Sequence, residues 1–392
     1  MKALFNFINS IGFVLSGLLA LYLLDPFNKG FLFGYLLVIF IILKINFISK
    51  NLDGDVFLLS LFSIIYAIFY AFEPLAGIQY IAIYALFPQS FYLLGKYLAS
   101  NTKDPKTLFV IMFYIASIFS FSAVTSVFLN FREGGFAQLD RTIPMFWNSQ
   151  PTSATLMGGF LTLNMCIPAI LISGYRQISN LNKIIATLLF VISLTCAIRL
   201  GSRTQLVIFL FTSIVSVIYI FPRQTYKQNI YLLILLTVCI GFVLRNVSFD
   251  LNADWLTTFA GRMSGGVGEV TSGGGRTERW IKSFEYLFTH PLGWEAKEFG
   301  YSHNMWLDVL RAGGIIPFIL LIIHSIKSFF QIKRTITISK ANILLNGQIL
   351  FYAIAFFLLF MVEPIFDGLF SSFVVFCLYK GIVNKYYTNL SQ

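Results

Sequence analysis

The stretch Lys183–Phe221, KIIATLLFVISLTCAIRLGSRTQLVIFLFTSIVSVIYIF, decides the fold class of this chain. Its two apolar arms, 183–200 and 204–221, each approach the roughly 20 residues that a helix needs to cross a bilayer. Arg199, Gly201, Ser202 and Arg203 divide them at a break tight enough to be a connection, a kink or a re-entrant turn. Outward from there the pattern repeats, with further spans expected near 5–24, 31–48, 56–72, 77–95, 107–128, 152–173, 229–247, 302–325, 346–362 and 366–384. The Pro-punctuated break at 362–367 is open to the same alternatives, so about twelve spans are expected. Hydrophobic residues make up 57% of the chain and charged residues 11%, against about 25% charged in a soluble domain. A water-soluble core cannot absorb that much apolar surface, and the expected fold is an all-α polytopic membrane protein.

The first span follows Lys2 and runs into Leu23-Leu24-Asp25-Pro26 with no small-residue cleavage site, so it is expected to stay as an anchor. Cys166, Cys196, Cys239 and Cys377 all fall in apolar stretches without metal-ligand spacing, which argues against a disulfide framework and a zinc site. Three blocks follow: 1–247 with nine helices and a smaller outer loop at 129–151, 248–301 as one large outer loop with short helices, and 302–392 with three helices.

Orientation follows from lysine and arginine, which hold loops in the cytoplasm. With the N-terminus inside, alternate loops place 16 of the 28 basic residues inside with three acids, Asp53, Asp55 and Asp104. Both termini are then cytoplasmic. Most of the inside cations are lysines, whereas nine of the outer ones are arginines: 132, 141, 199, 203, 245, 262, 276, 279 and 311. Retention needs only charge, but phosphate recognition favours the planar guanidinium fork. The plain alternative is salt bridging with the outer acids.

The outer polar material lies at 129–151 and 248–302. In the second loop, 254–259 reads as a short interfacial helix, followed by glycines at 265, 266, 268 and 273–275. Arg276 to Thr289 then reads as a helix, with Trp280, Phe284, Leu287 and Phe288 on one side and Arg276, Arg279 and Ser283 on another, ended by His290-Pro291-Leu292-Gly293. A glycine-rich turn entering a helix presents free N–H groups and the positive dipole end, a setting that suits a pyrophosphate. Glycine runs also make plain linkers, and neither a dinucleotide fingerprint nor a Walker loop is present.

Ser302-His303-Asn304-Met305-Trp306-Leu307 follows where the chain re-enters the membrane. His303 reads either as a structural histidine or as a general base near the arginines. His290 and His324 lack such company. All five tryptophans, Trp147, Trp255, Trp280, Trp294 and Trp306, lie in or beside the outer loops, as sugar platforms or as an ordinary interfacial belt. Asp53-Gly54-Asp55 is expected to be a solvated turn. Glu73 and Glu363, each before a proline at the outer end of a span, are costly there and so are candidates for a role.

Four motifs in order, Gly201-Ser202-Arg203-Thr204, Gly275-Arg276-Thr277-Glu278-Arg279-Trp280, His290-Pro291-Leu292-Gly293-Trp294, and Ser302-His303-Asn304 with Leu307 and Gly313-Gly314, resemble the C-terminal half of the Wzy-type O-antigen polymerases and the related O-antigen ligases. The resemblance covers roughly residues 185–325; the first 180 residues resemble the family only as a series of spans.

It implies a GT-C-like glycosyltransferase of the bacterial inner membrane that works on the periplasmic side, on undecaprenyl-pyrophosphate-linked oligosaccharides. The growing chain would pass from its lipid pyrophosphate to the terminal sugar hydroxyl of an incoming lipid-linked repeat. Arg203 and Arg276 match the family arginines assigned to the pyrophosphate, His303 matches the histidine near the acceptor, and Arg279 joins the arginines on helical spacing. A lipid pyrophosphate is a good leaving group and needs charge stabilisation more than protonation, so neither metal nor cofactor is expected.

One inverting displacement needs one base, for which His303 competes with Asp140, Glu269, Glu278, Glu295 and Glu73. Asn304, Trp280, Arg199, Glu278, Glu73 and Asp140 are further positioning candidates. The expected partners are the lipid-linked oligosaccharide, the bilayer and a chain-length-regulator membrane protein, and no nucleic acid. The rival readings are a ligase that attaches finished polymer to lipid A-core, and a transporter. A transporter generally carries midplane charges and internal repeats, whereas these spans read as nearly charge-free without a clear repeat.

Overall fold

The computed structural model describes residues 2–102, 104–136, 138, 140–246, 250, 253–258, 260, 275–338 and 342–391. Of the described residues 81% are helical, and the sheet among them is one short ribbon, Thr142–Pro144 antiparallel to Pro151–Ser153. Among the described residues, six helices are long and apolar enough to cross a membrane: Pro105–Gly134, Asn180–Arg199, Arg203–Arg223, Tyr226–Asn246, Ile315–Ile338 and Ile343–Val362. Three bent pairs raise the number to nine if each is one span. The protein is an all-α membrane protein.

The bent pairs depart from the straight spans expected. At Gly12, whose φ of 91° lies where L side chains are strained, the chain turns by 106° between Phe5–Ile11 and Phe13–Leu24. The 31–48 stretch bends by 79° between Gly30–Ile42 and Ile45–Asn51, and 152–173 bends by 45° between Ala154–Leu161 and Asn164–Gly174, just ahead of the tight turn Asn164–Cys166. The stretch 302–325 is also divided. Met305–Gly313 is a short helix, Gly314 turns at φ 72°, and Ile315–Ile338 carries the span. His303 therefore lies ahead of the span. Near the end, 366–384 resolves into Ile365–Gly368 and Phe370–Ser391.

The chain forms two compact units, Met1–Ser122 with Thr271–Gln392, and Ala123–Val270. In the first, Gln79–Ser100 packs along Phe370–Ser391 and against Gly54–Tyr70. Two glycines permit that approach: a Cβ on Gly95 would run into the Leu378 carbonyl, and one on Gly381 into the Tyr92 carbonyl. Small residues at a helix crossing let dispersion contacts form where lipid supplies no hydrophobic drive. Beyond the crossing, Phe62, Tyr66, Tyr84, Phe366 and Phe370 interlock edge to face, with Tyr66 and Phe366 centroids 4.8 Å apart and Tyr84 and Phe370 4.5 Å apart. The Tyr84 hydroxyl donates to the Phe366 carbonyl at 2.5 Å.

The first unit also overturns the solvated turn at Asp53-Gly54-Asp55. Asp53 caps the Gly54–Tyr70 helix, Oδ1 accepting from the Asp55 and Val56 N–H groups at 3.0 and 2.9 Å, while Oδ2 meets Lys96 Nζ at 2.5 Å. Asp55 is buried between Lys327 Nζ at 2.7 Å and Lys380 Nζ at 3.1 Å. His324 is buried among these groups, so it too has ionic company. Nearly charge-free spans were expected because each ion is isolated in its own stretch; folding brings them together.

In the second unit, Ala154–Leu161, Ile167–Gly174, Asn180–Arg199 and Arg203–Ile220 pack into one group. Arg199, 1% exposed, ends its helix by tying down the loop: Nη2 donates to Gln138 Oε1 at 2.6 Å and to the Asp140 carbonyl at 3.0 Å.

Candidate functional site

The helix expected from Arg276 to Thr289 is present with those bounds, entered from Gly275 at φ 78° and closed at His290, whose ring stacks on Tyr286 with centroids 4.2 Å apart. Its inward face is Trp280, Ser283, Tyr286 and Leu287, seated against Trp294, Leu307 and Leu310. Phe284 and Phe288, expected to share that face, are exposed instead. Helical spacing places four inward positions at 280, 283, 286 and 287, and residues 284 and 288 fall past the edge of that arc.

This docking carries two arginines to His303. Arg276 opens the first turn, and Arg279 Nη1 donates to the Tyr301 carbonyl at 3.0 Å. One turn on, Trp280 Nε1 donates to the Ser302 carbonyl at 2.8 Å, and the Ser283 and Ser302 hydroxyls meet at 2.9 Å. The segment ahead of His303 is thus pinned from one side by three helix positions, 279, 280 and 283. Arg276 Nη2 also lies 3.8 Å from Glu363 Oε2, a buried carboxylate just after the Ile343–Val362 helix.

From the other side a carboxylate clasps the histidine. Asp308 Oδ1 accepts the Ser302 N–H at 2.7 Å and Oδ2 accepts the Asn304 N–H at 3.2 Å. Between those two bonds His303 sits at φ 53°, in the left-handed region, which costs a non-glycine residue on the order of 1 kcal/mol. Asp308 is fully buried, and burial followed by the nearby Asp367 charge pushes its pKa up to about 7. Arg311, one turn later, donates from Nη2 to both Asp367 oxygens at 3.0 and 3.1 Å. His303 itself is half-buried, and its Nδ1 has no hydrogen-bond partner among the described residues. Burial, then the Arg276 and Arg279 charges, hold its pKa down to about 4, so the imidazole is neutral at pH 7.

Two further motifs meet beside this segment. The Trp294 N–H donates to the Arg311 carbonyl at 3.0 Å and the Ile315 N–H to the Pro291 carbonyl at 2.9 Å. Gly293 and Gly314 have positive φ, and a Cβ on Gly293 would strike the Arg311 carbonyl. His290-Pro291-Leu292-Gly293-Trp294 is thereby laced to Gly313-Gly314, which fixes the exit of the short helix that carries Asp308 and Arg311.

The remaining positioning candidates are placed as follows. Asn304 caps the Met305–Gly313 helix, Oδ1 accepting from Trp306 and Leu307 N–H groups at 3.2 and 3.3 Å. Glu278 is exposed in the first turn after Gly275, and Glu73 is exposed in the connection after Gly54–Tyr70. In the second unit, Arg203 is the first residue of its helix, after Gly201 at φ 59°, where a Cβ would meet Thr258 Cγ2 at 2.7 Å. Asp140, exposed, accepts the Thr142 N–H at 2.8 Å. Glu269, Arg262 and the glycines from 265 to 274 lie outside the described residues.

Sequence reasoning passed over Asp308 and Asp367, and counted Arg311 only among the outer arginines. A signal for Asp308 exists: an Asn cap followed four residues later by an acid is a variant of the capping box, in which the acid reaches back to the cap N–H. No local signal marks Asp367, 56 residues from the arginine it pairs with. The chain matches no protein-family model, and no curated protein matches it.

Proposed function

We propose that the protein is an O-antigen polymerase, a metal-independent inverting glycosyltransferase of the bacterial inner membrane that joins undecaprenyl-pyrophosphate-linked repeats on the periplasmic side. The full architecture on this reading is about twelve spans of GT-C-like type, with both termini cytoplasmic. One observation carries the reading: Arg276 and Arg279, at the start of a helix, lie against a strained, neutral histidine held by Asp308. Two guanidinium groups beside a helix N-terminus are suited to the charge that builds on a departing pyrophosphate. A neutral imidazole with an open nitrogen can accept the proton of an attacking sugar hydroxyl. As the lipid pyrophosphate enters, its negative charge offsets the arginines, so His303 becomes a stronger base when substrate is bound.

In this mechanism the acceptor oxygen attacks the anomeric carbon as the bond to the pyrophosphate breaks, with inversion. His303 takes the hydroxyl proton, and Arg276 and Arg279 take the charge of the leaving group. The test is deletion of the gene in its host followed by lipopolysaccharide electrophoresis. A collapse of the ladder to core plus one repeat is expected. Loss of every O-antigen band, with polymer retained on carrier lipid, would make the protein a ligase instead, and an unchanged ladder would refute both.

A further inference from the structure

The Arg276–Thr289 helix buries one face, and its exposed remainder is sorted by chemistry. At about 100° per residue, Ile281, Phe284 and Phe288 fall within roughly 60° of one another, and Glu278, Lys282 and Glu285 fall within a second arc of about the same width. All six side chains are exposed, Phe288 by 82%. Water on every side would favour neither arc for apolar residues. A helix lying at the boundary between lipid and water needs one arc of each kind.

The docked face fixes where the apolar stripe points. Trp280, Ser283, Tyr286 and Leu287 are held against the structure beneath, so the helix cannot roll to hide its phenylalanines. Past the helix end, Leu292 is a further exposed apolar side chain, 71% accessible. Its neighbour Pro291 accepts the Ile315 N–H at 2.9 Å, and Ile315 opens a membrane-spanning helix on which Ile316 and Ile319 are exposed. The first residue of a span lies at the bilayer surface, so the helix is tied to that surface at its C-terminal end.

We propose that Arg276–Thr289 is an interfacial helix, its stripe of Ile281, Phe284 and Phe288 seated in the bilayer surface around the start of Ile315–Ile338. One lysine against two glutamates leaves the charged arc without a cationic excess, so apolar burial holds the seat and no anionic lipid is needed. The same helix carries Arg276 and Arg279 to His303, and the seat therefore sets those groups at the depth of the lipid headgroups.

The test uses the full-length protein in phosphatidylcholine nanodiscs, spin-labelled one site at a time in a Cys239→Ser background that removes the exposed thiol. Labels enter through Ile281→Cys, Phe284→Cys and Phe288→Cys on the stripe, through Glu278→Cys, Lys282→Cys and Glu285→Cys on the charged arc, and through Ile319→Cys as the lipid reference. Oxygen concentrates in lipid and a nickel chelate stays in water, so the ratio of their collision rates reports what surrounds each label. That ratio is expected to approach the Ile319→Cys value along the stripe and to fall several-fold on the charged arc. A low ratio at all six sites would place the stripe in water and overturn the proposal. So would stripe labels shielded from both reagents, because a second copy or another protein would then cover them. Neither outcome touches the polymerase reading, which fails instead on an unchanged lipopolysaccharide ladder.

Discussion

The Gly54–Tyr70 helix has a polar cluster at each end, and the two are built on different rules. At its start, Asp53 and Asp55 meet Lys96, Lys327 and Lys380, five ions gathered from four helices. At its far end, about 24 Å away at 1.5 Å per residue, Tyr70 and the connection after it line a cavity together with Arg311 and Asp367. In the first cluster the lysines are point charges with carboxylate partners, an arrangement that ties helices together. The second cluster uses arginine, holds a histidine in a left-handed conformation, and leaves donors unpartnered. Open nitrogens alone do not separate the two, because His324 Nδ1 and Nε2 have no hydrogen-bond partner among the described residues of the first cluster either. A cluster whose ions pair across helices serves the fold, whereas one that also holds a histidine in a strained backbone is the candidate site.

The first cluster also bears on transport. Buried ions in a membrane protein mark a pathway by default, but transporter sites sit near the midplane on broken helices. Asp53 and Asp55 lie at the cap and first turn of an unbroken helix. Their position suits an anchor at a helix end.

The largest expected effect tests the anchor. Asp55→Ala leaves Lys380, fully buried, beside a lost partner, and breaking a buried pair in this way costs about 3–5 kcal/mol. Thermal unfolding of the purified protein should show that loss, and the double substitution Asp55→Ala with Lys380→Met should recover most of it. If Asp55→Ala abolished polymer while leaving the unfolding transition in place, the anchor would be a working site and the contrast between the ends would collapse.

The next effect reverses the pattern. On the polymerase reading proposed above, Arg276→Ala should cost about 2.7–4 kcal/mol of transition-state stabilisation, read as a 100- to 1,000-fold slower polymerisation, because it removes a fixed charge donor. Its effect on stability should be small. The contact with Glu363 is long at 3.8 Å and the arginine side chain is 31% exposed, so the pair is worth about 0–1 kcal/mol after screening. Wild-type ladders from membrane-inserted Arg276→Ala protein would move the pyrophosphate site elsewhere.

These two ends differ in how far the sequence announces them. The Arg276–Thr289 helix, its stop at His290-Pro291 and the motif order around His303 could all be read locally, because helix periodicity and caps are short-range signals. Lys380 and Asp55 could not be paired by inspection: 325 residues separate them, and a two-acid turn beside a cytoplasmic charge excess looks solvated. Gly12 and Gly314 sit inside apolar runs, where hydropathy continues across a backbone that turns. The position of Glu363 before a proline did announce its cost, though not its partner, Arg276.

A smaller effect should follow from Asp308→Asn. The amide can still accept from one neighbouring N–H, but its NH2 would face the other, which leaves a buried donor unsatisfied at a cost of about 1–3 kcal/mol. The consequence specific to the clasp is that His303 relaxes from φ 53°. Polymerisation should slow while lipid-linked substrate binding holds, and the histidine ring resonances should broaden or shift. Equal losses in binding and rate, with the ring unchanged, would make Asp308 a packing residue only.

The finest effect is electrostatic. His303 is held at about 4 by burial first and by Arg276 and Arg279 second. A folded value below the ordinary 6.5 means that the unfolded chain binds the proton more readily, so this group's share of stability is present above pH 6.5 and is lost as pH falls towards 4. Activity between pH 6 and 8 should therefore show no acid limb from His303 in the free enzyme. Arg276→Ala removes only the larger of the two arginine contributions, so in histidine-labelled protein the titration of His303 should move up from about 4 without reaching 6.5. Inorganic pyrophosphate added to wild type should move it in the same direction by covering the same charge, and should do so less in Arg276→Ala. An unmoved titration in both cases would mean that the arginines and the histidine do not share a field, and the open end of the Gly54–Tyr70 helix would lose its claim to be one site.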